Sequence, residues 1–410
     1  MKEYNLIHLD NGIRILLHYQ ASPITHTCMI VNAGSRHEEE GKYGVAHFIE
    51  HLIFKRTERR STNQILNRLE QVGGDLNAYT TKEYTCIHAS FLKPYLERAL
   101  DLFEDVLFHS TFPSQEIEKE KGVILDEIAS YQDSPEESIM DDFEDLLFKG
   151  SGLGHNILGL EDHLKALGKA DILDFMQKSY NTEEIVVAIT GDYSLAQVER
   201  MANKIFGTIQ SNHPSQSVQV VPYQGGVQEV IEKPINQAHY MLGVQTFGIN
   251  DDRKTAMLLL NNMIGGIGMS SILNLGIREK YGIAYTIESN LTMYADTGHF
   301  NIYLGTDEEK LQKATSLVFK ELDKIRNTPF TDYQLKTAKQ KFKGQIALAE
   351  ENRMSMIIAE AKNIIDYGHI ISLTDVFEKI DAVTHEDLLA LAHSYFDRDK
   401  TVSLSFIPEE

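Results

Sequence analysis

Apolar and polar residues alternate along NLIHLD and IRILLHYQ, on either side of Asn11-Gly12. A period of two predicts half-buried strands, and Asn-Gly between them predicts a hairpin turn. Thr25 to Asn32 (THTCMIVN) is more continuously apolar and predicts a buried strand. The period then lengthens. From Tyr43 to Thr57 (YGVAHFIEHLIFKRT), Val45, Phe48, Ile49, Leu52 and Ile53 recur at helical spacing. Another helix starts at Thr62 and stops at Gly73-Gly74, and residues 75–92 read as strand, turn, strand. Amphipathic helices follow over residues 93–108 and 114–131. Ser134-Pro135-Glu136-Glu137 reads as a capping-box start of a further helix, on which Glu137 and Asp141 stand one turn apart as a weak anionic spot. Residues 161–179 are helical, 183–192 form a buried strand, and Leu195 to Phe206 closes the first half as a helix.

The second half repeats this order. A strand pair over residues 228–247 precedes the helix TAMLLLNNMI, a Gly-rich turn at Gly265-Gly266-Ile267-Gly268 and a helix to Lys280. Two strands, a helix from Glu308, a long helix from Asp332 and a last strand TVSLSFIP complete it. Strand, helix, helix, hairpin, helix recurs in both halves. This predicts an α+β chain of two homologous domains, each a mixed β-sheet packed with helices. Residues 207–228 are polar and turn-rich, which places the boundary there: 1–212 and 213–410. The length of 410 residues agrees, since cores rarely grow past about 250–300 residues before a chain divides.

Charge narrows the function. With 39 basic and 60 acidic residues the net charge is −21, which disfavours nucleic acid and anionic membrane as partners. Acids lining a cavity would favour basic ligands; a solvated acidic surface would give the same count. No apolar run reaches membrane-span length, and MKEYNLIHLDNG has no signal-peptide core, so the chain as given is expected in the cytoplasm. Cys28 and Cys86 form no CxxC and are expected to be buried thiols.

The chemistry concentrates in the helix from Tyr43. His47 and His51 lie one turn apart with Glu50 on the same face, in the order H-x-x-E-H. Two imidazoles at this spacing can share a zinc ion, and a neighbouring carboxylate can take a proton from a water the metal activates. Two unrelated histidines on an ordinary packed helix would show the same five residues. A second stretch shifts that balance. On the helix SQEIEKEKGVILDEIASY, Glu120 and Glu127 lie two turns apart on one face. Glu127 shares its face with Val123, Ile124 and Tyr131, where a carboxylate is costly unless paired or bound to metal. It is the expected third ligand, with Glu120 supporting a ligand histidine. Both carboxylates facing solvent is the plainer alternative. The Gly-rich turn is no phosphate loop, because no G-K-[ST] follows it.

Further segments fall in a fixed order: GSR near Gly34, GVAHFIEHLIFK at 44–55, GGDLNAYTTKEYT at 73–85, Glu120 with Glu127, GHNILG at 154–159 and TGD at 190–192. On these the chain resembles the pitrilysin family of inverzincin zinc peptidases. Within it the chain is most similar to the short members that look like the zinc subunit of mitochondrial processing peptidase and its bacterial relatives. The resemblance spans essentially the whole chain, with Glu127 lying 76 residues beyond His51, as the family's third ligand does.

The resemblance implies one Zn2+ per chain held by His47, His51 and Glu127, with Glu50 as general base and Glu120 behind the ligands. It implies that Asn77 and Ala78 lie on an edge strand that pairs with the peptide. Gly265, Gly266 and Gly268 match a Gly-rich loop, and IREKYGIAY supplies Arg278 and Tyr285 as substrate contacts near the scissile bond. In the family the zinc half and the Arg…Tyr half face each other across a closed chamber. The implied activity is a zinc endopeptidase acting on extended, unstructured peptides or precursor segments, with basic peptides favoured by the acidic balance. Both residue sets occur in one chain, which suggests a homodimer with composite active sites, and the lack of a transit peptide suggests a bacterial protein. Arg56 stands where the family usually has Gly, and Ile272 where a basic residue is common; both bear on substrate preference. The alternative is a catalytically silent scaffold or partner subunit, but such proteins generally lose part of HxxEH, which is complete here.

Overall fold

The computed structural model describes residues 4–214 and 221–409, which divide into two compact units. Residues 215–220, inside the turn-rich boundary stretch, lie outside the described residues.

The first unit is built on a six-stranded sheet. Its strands are β1 (Tyr4–His8), β2 (Arg14–Tyr19), β3 (Ile24–Val31), β4 (Asp75–Thr80), β5 (Thr85–Leu92) and β6 (Ile185–Gly191). They are ordered β1-β2-β6-β3-β5-β4, with only β2 and β6 parallel. The β1–β2 hairpin turns on Asp10-Asn11-Gly12: Gly12 N donates to Leu9 O, and Gly12 takes a left-handed φ of 94°. This is a three-residue turn, wider than the tightest Asn-Gly hairpin. Asn11 has a second task. Its amide donates to Phe206 O and Ile209 O, tying the hairpin to the end of the Leu195–Phe206 helix.

One sheet face packs on the Val45–Ile53 and Leu96–Phe108 helices, with Met29, Phe48, Ile87 and Phe103 fully buried between them. The other face is covered by the Arg353–Tyr367 helix, whose Ile357, Ala361 and Ile364 meet Leu16, Cys28, Ile30, Cys86, Val186 and Ala188. Cys28 and Cys86 are buried free thiols in that layer.

The second unit has five strands: β7 (Gln228–Lys233), β8 (Ala238–Phe247), β9 (Thr286–Met293), β10 (Thr297–Thr306) and β11 (Val402–Pro408). They are ordered β7-β11-β8-β10-β9, with β7 and β11 parallel and the rest antiparallel. Strand for strand this repeats β2-β6-β3-β5-β4 of the first unit. The duplication is faint in sequence and plain in topology.

The units depart from contiguous halves in two helices. Ala129–His155 belongs to the second unit and Ala349–Ile371 to the first. The Pro135–Leu147 helix lays Ile139, Phe143 and Leu147 on Met241, Tyr303, Val402, Leu404 and Phe406. Gly243 makes room for it: a Cβ there would come within 2.7 Å of the Phe143 ring. Each sheet has two apolar faces to bury, and a segment distant in sequence supplies the cover for one of them. No helix among the described residues is long and apolar enough to cross a membrane.

Candidate metal centre

The helix Val45–Ile53 starts at Gly44, which has φ 97° and packs against Leu158 O so closely that a Cβ would lie 2.7 Å from it. Gly44 has no side chain to cap the helix. Glu38 does so instead, its carboxylate accepting from Gly44 N and Ala46 N at 2.8 Å each. Glu38 opens the run Glu38-Glu39-Glu40 in the polar stretch HEEEGKYG, where sequence alone suggests a loop charge. It is in fact buried, holding two N–H groups the helix leaves unpaired and placing negative charge at the positive end of the dipole. Val45, Ala46, Phe48, Ile49, Leu52 and Ile53 are buried, and this packing fixes how the helix presents His47, Glu50 and His51.

His47, His51 and Glu127 each bring one donor atom within 4.8 Å of the others. Glu127 Oε2 lies 3.5 Å from His51 Nε2 and 3.9 Å from His47 Nε2. Ligands at about 2.0–2.1 Å in tetrahedral geometry stand roughly 3.4 Å apart, so two nitrogens and a carboxylate at this spacing fit zinc and leave one position open. Burial, with His51 beside it, pushes the His47 pKa down to about 3, which keeps its ring neutral as a metal ligand must be. Its Nδ1 is buried without a hydrogen-bond partner. His51 is held from behind: Glu120 Oε2 lies 3.3 Å from its Nδ1, and Glu120 Oε1 pairs with Lys55 Nζ at 2.8 Å. Thr80 Oγ1 donates to Glu50 Oε2 at 2.7 Å. Burial raises the Glu50 carboxyl pKa above the ordinary range, which suits a proton acceptor.

Glu127 is not where the sequence argument placed it electrostatically. It is exposed, and Val123 on its face is 44% exposed. The buried stripe of the Ser114–Gln132 helix runs through Ile117, Glu120, Lys121, Ile124 and Ile128. Glu127 borders that stripe, so the apolar wall surrounds Glu120, which is paired there. Lys55 and Thr80 were missed as supporting groups. Lys55 stands four residues after His51, a one-turn spacing that could have indicated it.

Asn77 and Ala78 lie on β4, the outer strand of its sheet. With Glu50, His51, Lys55 and Glu120 they line a cavity of about 280 Å³. Asn77 Oδ1 accepts from Ala78 N at 2.9 Å. Arg278, Tyr285, Gly265, Gly266 and Gly268 belong to the second unit and line one cavity of about 890 Å³ there. A Cβ on Gly265 would meet Ser289 N at 2.4 Å, and Gly268 has φ 107°. Arg278 sits on a π-helical turn, Asn274–Glu279, where the sequence predicts an ordinary helix. Tyr285 is half exposed and its hydroxyl donates to Asp307 Oδ1 at 2.8 Å, a bond that raises the phenol pKa.

Fold and site define a class: duplicated α+β proteins in which one copy carries a two-histidine, one-carboxylate centre. Comparison with known proteins agrees. Residues 14–160 match the family model described as Insulinase (Peptidase family M16), and residues 166–342 match the Peptidase M16 inactive domain. A protein of Bacillus subtilis named uncharacterized zinc protease YmxG is 30% identical over 96% of this chain and 96% of its own length. An uncharacterized zinc protease of Streptomyces coelicolor is 32% identical over 97% of this chain and 88% of its own. Among solved structures, a protease from Helicobacter pylori superposes with a TM-score of 0.91 at 21% identity over 100% of both chains. A peptidase M16 inactive domain from Pseudomonas fluorescens gives 0.90 at 22% identity over 99% of this chain and 98% of that one. These two show the fold. The chain belongs to peptidase family M16, the pitrilysin family, as a short member of the bacterial type.

Proposed function

We propose that the protein is a zinc-dependent endopeptidase that hydrolyses unstructured peptides or precursor segments. The observation that carries this reading is the convergence of the His47, His51 and Glu127 donor atoms beside the raised-pKa carboxylate of Glu50. Zinc bound by those three residues supplies Lewis acidity, which makes a water nucleophilic near neutral pH. Glu50 takes the proton from the attacking water and returns it to the leaving amine. Thr80 orients that carboxylate through its hydroxyl. Glu120 accepts from His51 Nδ1–H and so fixes the tautomer that presents Nε2, while Lys55 balances the Glu120 charge.

The outer position of β4 supports the substrate class. An extended peptide pairing there gains backbone hydrogen bonds with little sequence demand, which favours unfolded chains. Arg278 and Tyr285 supply hydrogen-bond donors to the substrate in this reading, and Gly265, Gly266 and Gly268 leave backbone open to it. The net charge of −21 favours basic peptides. The protein acts as a cytoplasmic homodimer with composite sites and one zinc per chain; a fully active monomer in sedimentation would overturn the dimer.

Mass-spectrometric cleavage of a mixed library of unstructured peptides tests the reading. Wild type should cleave, Glu50→Gln should not, and a chelator should stop the wild type reversibly. Zinc-loaded wild type that cleaves nothing would replace this reading with that of a silent scaffold or partner subunit.

A further inference from the structure

The metal helix ends at Ile53, and the segment after it, Phe54 to Ser61 (FKRTERRS), carries four cations and one carboxylate. A segment so charged is ordinarily a solvated surface loop. Here a buried carboxylate holds it. Asp105 lies on the Leu96–Phe108 helix, between the core residues Phe103 and Val106, and is itself fully buried. It accepts from Thr57 Oγ1 and Arg59 Nε at 2.8 Å each, and from Arg60 Nη1. Glu104 beside it accepts from Arg59 Nη2, and Asp101 one turn earlier accepts from Arg60 Nη2. Burial alone raises the Asp105 pKa; the donors from Arg59, Arg60 and Thr57 more than reverse that and keep it ionised.

A buried charge network adds little net stability over well-packed apolar side chains of the same size, so stability alone does not account for this one. The backbone it holds supplies a use. Thr57 stands two residues from Lys55, and Thr62 Oγ1 donates to Lys55 O. Thr111 N donates to Arg56 O at 3.0 Å. Lys55 is thereby fixed at its root, and its Nζ reaches Glu120 Oε1 at 2.8 Å. Glu120 is buried, and its other oxygen lies 3.3 Å from His51 Nδ1. A lysine on a free loop gives up much rotamer freedom to meet so small a target, whereas one on a fixed loop starts in range. Without that ammonium, Glu120 loses the partner that holds one oxygen and leaves the other aimed at His51.

We propose that Asp105 is a positioning residue for the metal centre: through Arg59, Arg60 and Thr57 it fixes the loop that delivers Lys55 to Glu120, and so sets the orientation of His51. Asp105 belongs neither to the ligand set nor to the lining of the Glu50 cavity, and it acts only through this chain of contacts. The inference rests on the zinc reading of the site in taking His51 to be a ligand.

The test is the zinc affinity of the full-length protein, read by competition with a chromophoric chelator. Asp105→Asn keeps the shape and one acceptor oxygen but releases the two guanidinium groups. It should weaken zinc binding roughly tenfold, the low end for groups that stand behind a metal's ligands. Lys55→Met, which removes the group the loop delivers, should weaken it at least as much. The decisive protein is the double variant. If Asp105 acts through Lys55, Asp105→Asn should cost less than about twofold once residue 55 is Met, whereas a residue that only stabilises the fold weakens both backgrounds alike. Arg60→Met cuts the clamp from the loop side and serves if the Asn variant folds poorly; Arg60→Lys, which keeps the charge, should recover most of the affinity. Zinc affinity unchanged in both Asp105→Asn and Arg60→Met overturns the inference, and so does a full loss that persists in the Lys55→Met background. Zinc held tightly and dependent on Asp105, in a wild type that cleaves no peptide, would sink the peptidase reading and leave the clamp standing. Peptide cleavage by a wild type whose zinc affinity ignores the clamp would do the reverse.

Discussion

The two units share strand order and strand sense, and they differ in the helix that follows their long central strand. After β3 comes Val45–Ile53 with His47, Glu50 and His51; after β8 comes Lys254–Gly265 with Asn261 and Asn262. Those asparagines are spent on structure. Asn262 donates to Gln345, and Asn261 accepts from Ser289 on β9. Among the described residues only the first unit gathers a metal-ligand set. The outer strands differ as well: β4 borders a small cavity beside Glu50, whereas β9 borders a much larger one with an acceptor-rich end. One scaffold, copied, thus supplies a candidate metal centre in one place and a polar groove in the other. The difference lies in a few side chains on one helix face, and the sheet that positions them is common property.

The largest effects should separate the units cleanly. Glu50→Gln is expected to lower kcat by about 10²–10⁴-fold while zinc content stays at one per chain, because Glu50 moves a proton and holds no metal. His47→Ala should lose the zinc itself, measured by atomic absorption after gel filtration. Asn262→Ala in the second unit should leave zinc content unchanged. Zinc lost on changing Asn262 would break the division of labour.

The sequence conveyed the fold well where a pattern is local. The spacing of Val45, Phe48, Ile49 and Leu52 gave the metal helix, and the order of strands and helices exposed the duplication. It conveyed less where partners are distant. Glu127 was read as buried because its neighbours Val123, Ile124 and Tyr131 are apolar, yet which arc of the helix turns inward is set by what packs on it, and that arc holds Glu120. The exchange of the Pro135–Leu147 and Arg353–Tyr367 helices was invisible for the same reason: periodicity shows an apolar face without showing which sheet it meets. Glu38 looked like a surface charge beside Glu39 and Glu40, since nothing local to it shows that Gly44 leaves a helix end uncapped.

The helix caps sharpen the comparison at an intermediate scale. Glu38→Ala removes a buried carboxylate from two backbone N–H groups and should cost about 1–3 kcal/mol in urea unfolding. It should also weaken zinc binding, because the freed helix end precedes His47 by only a few residues. In the second unit, Asp251 accepts from Arg253 N at 2.9 Å on the surface at the head of the Lys254–Gly265 helix. Asp251→Ala should cost roughly 0.5–1 kcal/mol and leave zinc affinity as it was. Equal losses from the two would mean that the first helix is no more dependent on its cap than the second.

The smallest effect concerns acid. The second unit buries His239 on β8, with its Nδ1 2.8 Å from Tyr303 OH. Burial, aided by Lys233 and opposed by Glu136, lowers its pKa below the ordinary 6.5. The unfolded chain therefore takes up this proton at a higher pH than the folded one does. Stability from neutral His239 is complete above pH 6.5 and declines as pH falls below it, toward the depressed folded value. The slope cannot exceed about 1.4 kcal/mol per pH unit, so the loss between pH 6.5 and 5.5 should be about 1 kcal/mol or less. His239→Gln should flatten the urea-unfolding profile over that interval by the same amount. The flattening should be equal in zinc-loaded and chelated protein, since His239 holds no metal. A change that appeared only after chelation would tie this histidine to the metal centre and undo the assignment of metal chemistry to the first unit alone.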